Sequence, residues 1–388
     1  MKQDGLSLYL HIPFCAYRCS YCDFNTYTSL GDLQAAYVDA LCAEVRQVAG
    51  EERRPVRTLF FGGGTPSLLS PAQIGQIMAE IRARFVLAED AEVTMEANPE
   101  TVDEAYLTAV FHSGINRLSF GAQSAVASEL ALLGRQHSFG RVQEIVATAH
   151  QVGFGNTSID LIYGVPGQTI ASWQQSLEAA LALNTTHLSL YCLTIEPGTP
   201  MHRWLGNGQI QPPDPDFAAD QYDLTRTALA EAGFDHYEIS NWARPGYESE
   251  HNLAYWRNFE YLGLGAGAHG HAQGVRYHVV RQPRVYIRRL TEPSPREAQY
   301  PWSTAVAETI PLSPQDQMGE TMMMGLRLLQ EGVQEAEFAA RFGQTLDEVY
   351  ADELHKLTEW GLLARTHGRV HLTSKGTFLS NQVFHHFV

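Results

Sequence analysis

Along the first half of the chain, short apolar runs rich in β-branched and aromatic residues alternate with stretches of helical periodicity. The runs are Leu6–Leu10, Val56–Phe61, Ala91–Ala97, Arg117–Phe120, Ser158–Ile162 and His187–Leu193. The helical stretches are roughly 10–15 residues long, the first running from about Leu33 to Val48. Such alternation predicts an α/β fold, a parallel sheet with helices outside, built as a partial (β/α)6 barrel over residues 1–205. Functional side chains then belong at the strand C-termini, where Gly62-Gly63-Gly64-Thr65-Pro66 and Glu96 fall. The rhythm breaks near Gly206, at the loop Asn207 to Asp216, and residues 206–305 form a different region. It holds an expected helix near Phe217–Ala232, an aromatic and histidine-rich stretch from Tyr237 to Tyr277, and a glycine-rich turn from Gly263 to Gly270. Pro283, Pro293, Pro295 and Pro301 mark a second break. Residues 306–388 read as helices over Met318–Leu329, Val333–Phe342 and Leu346–Trp360, a hairpin of Leu362–Arg365 with Arg369–Leu372, and a final helix: a winged-helix-like α+β domain.

With 388 residues, 44% of them hydrophobic, the chain has ample core for a large catalytic domain and a smaller one. The net charge of -16, from 27 basic and 43 acidic residues, repels polyanions. Residues 313–388 carry six Lys/Arg against ten Asp/Glu, which argues against the DNA role that winged helices often have, so no nucleic-acid partner is expected. The residues before Leu6 resemble neither a signal nor a transit peptide, and no apolar run is long enough to span a membrane. Of the five cysteines only Cys42 and Cys192 lie outside one short loop, so no disulfide framework is present and a reducing, cytoplasmic setting is expected. Cys192, inside an apolar strand, reads as a small buried hydrophobe.

The other three, Cys15, Cys19 and Cys22, are spaced C-x3-C-x2-C. Three thiolates on one loop can hold three irons of a 4Fe-4S cluster, leaving the fourth iron open to a small molecule, for which S-adenosylmethionine is the expectation. A structural zinc ion is the alternative, although zinc favours a closed set of four ligands.

In order along the chain stand Tyr9-Leu-His-Ile-Pro-Phe-Cys-x3-Cys-x2-Cys, Phe61-Gly-Gly-Gly-Thr-Pro, Met95-Glu-Ala-Asn-Pro, Arg117-Leu-Ser-Phe-Gly-Ala-Gln-Ser, Gly134-Arg-Gln-His and Ile159-Asp-Leu-Ile-Tyr-Gly-Val-Pro-Gly-Gln. In this set the chain resembles the radical S-adenosylmethionine superfamily. Within it, the similarity is to the branch that contains oxygen-independent coproporphyrinogen III oxidase and the HemW-type haem chaperones. The resemblance implies a cluster-bound S-adenosylmethionine whose methionine end chelates the open iron and whose sulfonium accepts an electron. Gly63, Gly64 and Thr65 suit close backbone approach to the methionine, or else merely a tight βα turn. The resemblance gives Arg135 to the methionine carboxylate and Glu96 to its ammonium group, both of which would otherwise read as surface charge. It gives Gln123 and Asp160 to the ribose, and Tyr9 and Tyr21 to the sulfonium and adenine.

Two departures bear on the reaction. The decarboxylating oxidase has a further cysteine one residue beyond the third cluster cysteine, and Phe24 stands there. The oxidase also has an extended segment before the cluster loop, where this sequence has 14 residues before Cys15. In contrast, His251-Asn252-Leu253-Ala254-Tyr255-Trp256 matches the H-N-x-x-Y-W signature of the haem chaperone group. That match makes His251 a haem ligand with Tyr255 and Trp256 against the macrocycle; the bland reading is a core histidine with ordinary aromatic packing. His269 and His271 are further ligand candidates.

The expected function is therefore a haem chaperone that holds haem and delivers it to haem proteins such as respiratory enzymes. The alternative is oxygen-independent coproporphyrinogen III oxidase, with a radical methylase or cyclase behind it. The resemblance brings as expected partners haem, the recipient haem proteins, an electron donor to the cluster, a transient contact with the inner membrane face, and a homodimer.

Overall fold

The structure is a computed structural model that describes residues 5–50, 53–293 and 297–388. Met1 to Asp4 of the N-terminal reading and Pro295 of the proline-marked break lie outside them. The first six strands, β1 (Leu6–Ile12), β2 (Val56–Gly63), β3 (Leu87–Ala97), β4 (Arg117–Gln123), β5 (Asn156–Tyr163) and β6 (His187–Cys192), lie side by side in chain order, all parallel. Between them run α1 (Gln34–Val48), α2 (Pro71–Arg84), α3 (Glu104–His112), α4 (Ala127–Leu132), α5 (Phe139–Val152) and α6 (Ile170–Leu181).

The period of two along each strand separates the faces. On β1, Leu6, Leu8, Leu10 and Ile12 are fully buried in the main hydrophobic core with Tyr37, Val38 and Leu41 of α1. Tyr9 belongs to the alternate set and meets His11 and Phe60. The corresponding positions of the later strands form a buried polar ladder. Ser119 donates to Asp160 at 2.9 Å, Ser158 bonds His187 Nδ1 at 2.8 Å, and Arg117 lies 3.8 Å from Glu92. Ser119 and Ser158 thereby find partners on neighbouring strands, while Arg117 Nε has only the ion-pair distance to Glu92.

Beyond β6 come α7 (Pro200–Gly206), α8 (Pro215–Glu231), β7 (Asp235–Glu238), β8 (Asn241–Ala243), α9 (Glu250–Trp256), β9 (Tyr261–Leu264), β10 (His269–Ala272), β11 (Val275–Val279), α10 (Pro283–Thr291) and β12 (Val306–Pro311). These strands widen the sheet at both edges. β9 pairs parallel to β1 and leads into antiparallel β10, β11 and β12, while β8 and β7 continue antiparallel beyond β6. The strand order is linear, β12-β11-β10-β9-β1-β2-β3-β4-β5-β6-β8-β7, so a parallel core with helices is extended by antiparallel strands at both edges and is not a closed barrel.

The C-terminal region has its own core, including Met322, Phe338, Leu357 and Val383. It is built from α11 (Pro314–Gly325), β13 (Val333–Gln334), α12 (Glu335–Phe342), α13 (Leu346–Glu359), β14 (Leu363–Thr366), β15 (Arg369–Leu372), α14 (Ser374–Phe378) and α15 (Ser380–Phe384). The helix expected from Met318 starts earlier, because Ser313 and Asp316 form a capping box with Pro314 at the first turn. It ends at Gly325, where a side chain would meet Val333. Val333 and Gln334, expected to be helical, are a strand paired with β15, and the final helix is two short ones meeting at Leu379.

Candidate functional site

A cavity of about 400 Å³ opens at the C-terminal ends of β1 to β6. It brings together eleven of the side chains and glycines singled out from the sequence: Cys15, Cys19, Cys22, Tyr21, Gly63, Gly64, Thr65, Glu96, Gln123, Arg135 and Asp160. The three cysteines enter on the loop after β1. Thr65 Oγ1 donates to Cys15 Sγ and Arg135 Nη1 to Cys19 Sγ, each at 3.5 Å. Among the described residues no three His, Cys, Asp or Glu side chains converge to hold one metal ion. Three separate thiols around one cavity fit a polynuclear iron-sulfur cluster, held one thiolate per iron, better than a single zinc ion. Burial pushes the Cys22 thiol up to about 11 and raises Cys15 as well, so loading a cluster expels protons from these groups.

The glycines are dictated by packing. A Cβ on Gly64 would lie 2.6 Å from Phe14 O, 2.8 Å from Ile12 O and 3.1 Å from Cys15 Sγ. Gly63 has a φ of +110° and a Cβ there would sit 2.4 Å from the His11 ring. These two residues let the strand end press against the cysteine loop. Gly63 also donates its N–H to Glu96 Oε2 at 3.1 Å.

Burial pushes the Glu96 carboxyl up to about 7, the neighbouring Asp160 adds to this, and the Gly63 N–H works against it. Asp160 is likewise raised by burial, held back by hydrogen bonds from Ser119 and Ser189. Arg135 donates through Nη2 to Gly121 O at 2.9 Å and Asn98 Oδ1 at 3.3 Å, and its Nε is buried without a partner. Nη1 points to Cys19 Sγ, so both arms of the fork are oriented by protein groups and Nε is the donor without a partner. Gln123 adopts a φ of +68°, uncommon for a residue with a Cβ, where the β4–β5 register slips between Gly121 and Gln123. The slip turns its side chain into the cavity. Asn98 and Ser119, which also line it, were not singled out, although both lie inside quoted motifs.

Tyr9 and His251 lie apart from the side chains that line this cavity, and Cys192 is exposed where burial was expected. Tyr9 does not line the cavity: it is held below by a 3.1 Å hydrogen bond to His11 Nδ1 and stacks on Phe60. His251 is only 1% exposed. Its ring stacks on Phe60 at 5.1 Å, meets Tyr255 edge-on at 4.7 Å and bonds Thr58 Oγ1 through Nδ1 at 2.7 Å, while Nε2 is buried with no hydrogen-bond partner. Burial lowers its pKa to about 3, so the imidazole is neutral. The cause is α9, whose first turn is clamped by Glu92: that carboxylate accepts from Ser249 Oγ and from the N–H groups of Glu250 and His251. Cys192, expected to be buried, is exposed at the mouth of the cavity, because β6 ends there and turns the thiol off the packed face. His271 is buried on β10 and His269 faces its strand partner His278 at 5.6 Å.

Two family models match this chain. Residues 9–180 match the Radical SAM superfamily and residues 312–379 the HemN C-terminal domain. The "Heme chaperone HemW" of Bacillus subtilis (strain 168) is 36% identical over 98% of this chain and 99% of its own length. The chain belongs to the HemW family of the radical SAM superfamily. Another HemW, from Lactococcus lactis subsp. lactis, is 35% identical over 100% of this chain and 98% of its own. The HemW-type architecture is matched in a solved structure, the coproporphyrinogen III oxidase HemN from Escherichia coli, with a TM-score of 0.84, 25% identity and coverage of 99% and 90% of the two chains. Membership in the superfamily implies a 4Fe-4S cluster and S-adenosylmethionine, and the cavity fits both.

Proposed function

We propose that this protein is a haem chaperone of the HemW type, which binds haem and passes it to recipient haem proteins while carrying a 4Fe-4S cluster and S-adenosylmethionine. The observation that carries the reading is similarity to proteins named heme chaperones along essentially the whole chain, from the cysteine loop through the C-terminal module. In this reading Cys15, Cys19 and Cys22 hold the cluster, Gly63 to Thr65 and Glu96 cradle the methionine ammonium, Arg135 takes the carboxylate, and Gln123 and Asp160 face the ribose. A bound cluster supplies one-electron reduction to the sulfonium. The protein's own part is to exclude water from the floor of the cavity and to fix the cofactor between Arg135 and the Glu96–Asp160 pair. Phe24, 65% exposed at the cavity rim, replaces the additional cysteine of the oxidase, which disfavours coproporphyrinogen decarboxylation. Haem ligation by His251, whose Nε2 has no partner, would require α9 to leave its seat on Glu92 and Thr58.

The test is an anaerobic haem titration of the cluster-reconstituted protein, followed at the Soret band. Saturation near one haem per chain is expected; absence of specific binding, with turnover of coproporphyrinogen III, would overturn the reading.

A further inference from the structure

The glycine-rich stretch from Gly263 to Gly270 does not line the cavity that holds the cysteines, yet it is closely tied to the rest of the fold. Because β9 runs parallel to β1, the turn after β9, Gly265 to Ala268, comes to lie beside the cysteine loop that follows β1. Gly265 N–H donates to Glu44 Oε2 at 2.7 Å, and Ala266 N–H donates at 2.8 Å to Tyr37 Oη, which itself donates to His11 O at 2.7 Å. The buried Glu44 carboxylate also accepts from Tyr286 of α10 and from Ser303, each at 2.6 Å. The turn is thus held to α1, α10 and the end of β1.

One side chain carries this anchorage to the cysteine loop. Asn25 Nδ2 donates to Ala266 O and to Arg281 O, both at 2.9 Å. The Asn25 backbone carbonyl accepts from His11 Nε2 at 3.0 Å, and its Oδ1 accepts from Tyr27 Oη at 3.3 Å. The turn comes closest at Gly267, whose φ is +88° and where a Cβ would run into the Asn25 carboxamide.

The three cysteines differ in what holds them. Cys15 N–H donates to Tyr27 O at 3.1 Å, and its thiol accepts from Thr65. Beside Cys19, Ser20 donates through N–H to Leu133 O at 3.1 Å and through Oγ to Leu132 O at 2.6 Å, and Arg135 reaches the Cys19 thiol. The hydrogen bonds of Cys22 stay within its own loop, to Cys19, Arg18 and Phe24, and both Asp23 and Phe24 are exposed. Among the described residues, the first hydrogen bonds from the Cys22 end of the loop to another element are those of Asn25.

We propose that Asn25 is a positioning residue for the iron-sulfur cluster, tying the Cys22 end of the cysteine loop to the glycine-rich turn. The central segment then sets the place of one cluster thiolate, although none of its glycine-rich residues lines the cavity. The proposal rests on the reading of Cys15, Cys19 and Cys22 as cluster ligands.

Two variants break the tie from opposite sides: Asn25→Ala removes the carboxamide, and Gly267→Ala presses against it. In cluster-free full-length protein, alkylation of each cysteine by iodoacetamide is followed by mass spectrometry. Cys22 is expected to react about tenfold faster in both variants, the scale of two lost hydrogen bonds, with Cys19 unchanged. A general loss of stability would raise both thiols together, so the unequal response separates positioning from folding. After reconstitution, both variants should also release iron to a chelator faster than the wild type. A further measurement needs only the wild type: coupling between two sites is reciprocal, so loading the cluster should slow hydrogen exchange at the Gly265 to Ala268 amides. Unchanged alkylation of Cys22, an equal rise at Cys19, or exchange in the turn that ignores the cluster would overturn the proposal, while iron uptake by the wild type keeps the cluster reading. Failure of the wild type to take up iron would overturn both.

Discussion

Gly64 shows at the scale of one residue why a short motif can be read without a structure. Its backbone fills the space between two carbonyls and a cluster thiol, so the requirement is local to two segments that the sequence already displays. Gly64→Ala is expected to destabilise the protein by about 1–3 kcal/mol through overpacking and to lower iron incorporation, measured by denaturant unfolding and iron content after reconstitution. Glu96 makes a different prediction. Its carboxyl is pushed up to about 7 by burial and Asp160, and in the proposed arrangement the methionine ammonium would pair only with the ionised form. Affinity for S-adenosylmethionine should therefore fall as pH drops below about 7, approaching tenfold per unit, and Glu96→Gln should flatten that dependence in isothermal titration. What one residue did not announce was its direction. Gln123 reaches the cavity through a register slip and Cys192 is exposed because a strand ends, and neither depends on residue type.

Elements were legible wherever a local rule sets them. The six parallel strands follow from apolar runs, and their C-terminal ends collect the cysteine loop, the glycines and Glu96, as the alternation of strands and helices requires. α9 illustrates the opposite case. Its motif suggested a haem-facing histidine, yet the helix is turned by a carboxylate that lies 159 positions away in sequence, which no local pattern encodes. The orientation is testable through Glu92. Glu92→Gln removes the charge that faces both the first turn of α9 and the buried Arg117, 3.8 Å away. Leaving that guanidinium without its counter-ion should cost about 3–5 kcal/mol in urea unfolding. Replacing Arg117 by Met in the same protein should recover part of the loss, since an absent pair is less costly than a broken one.

At the scale of the whole molecule, the central segment is not an appendage: its strands extend both edges of the sheet, which lets α9 pack against the buried polar ladder and leaves a cavity against the C-terminal module. The net charge of -16 acts on every partner this surface meets. No helix among the described residues is long and apolar enough to cross a membrane. Anionic headgroups repel an acidic protein, and attraction would require a local cluster of Lys and Arg worth about 1 kcal/mol per residue near the surface. The protein is accordingly expected to stay in the supernatant when sedimented with phosphatidylserine vesicles at low salt, with or without haem. Co-sedimentation that disappears as salt is raised would reveal a basic docking face that outweighs the global charge, because screening weakens exposed electrostatic contacts first. Retention in the supernatant instead places the specificity of haem delivery in contacts with the recipient protein, not in the lipid.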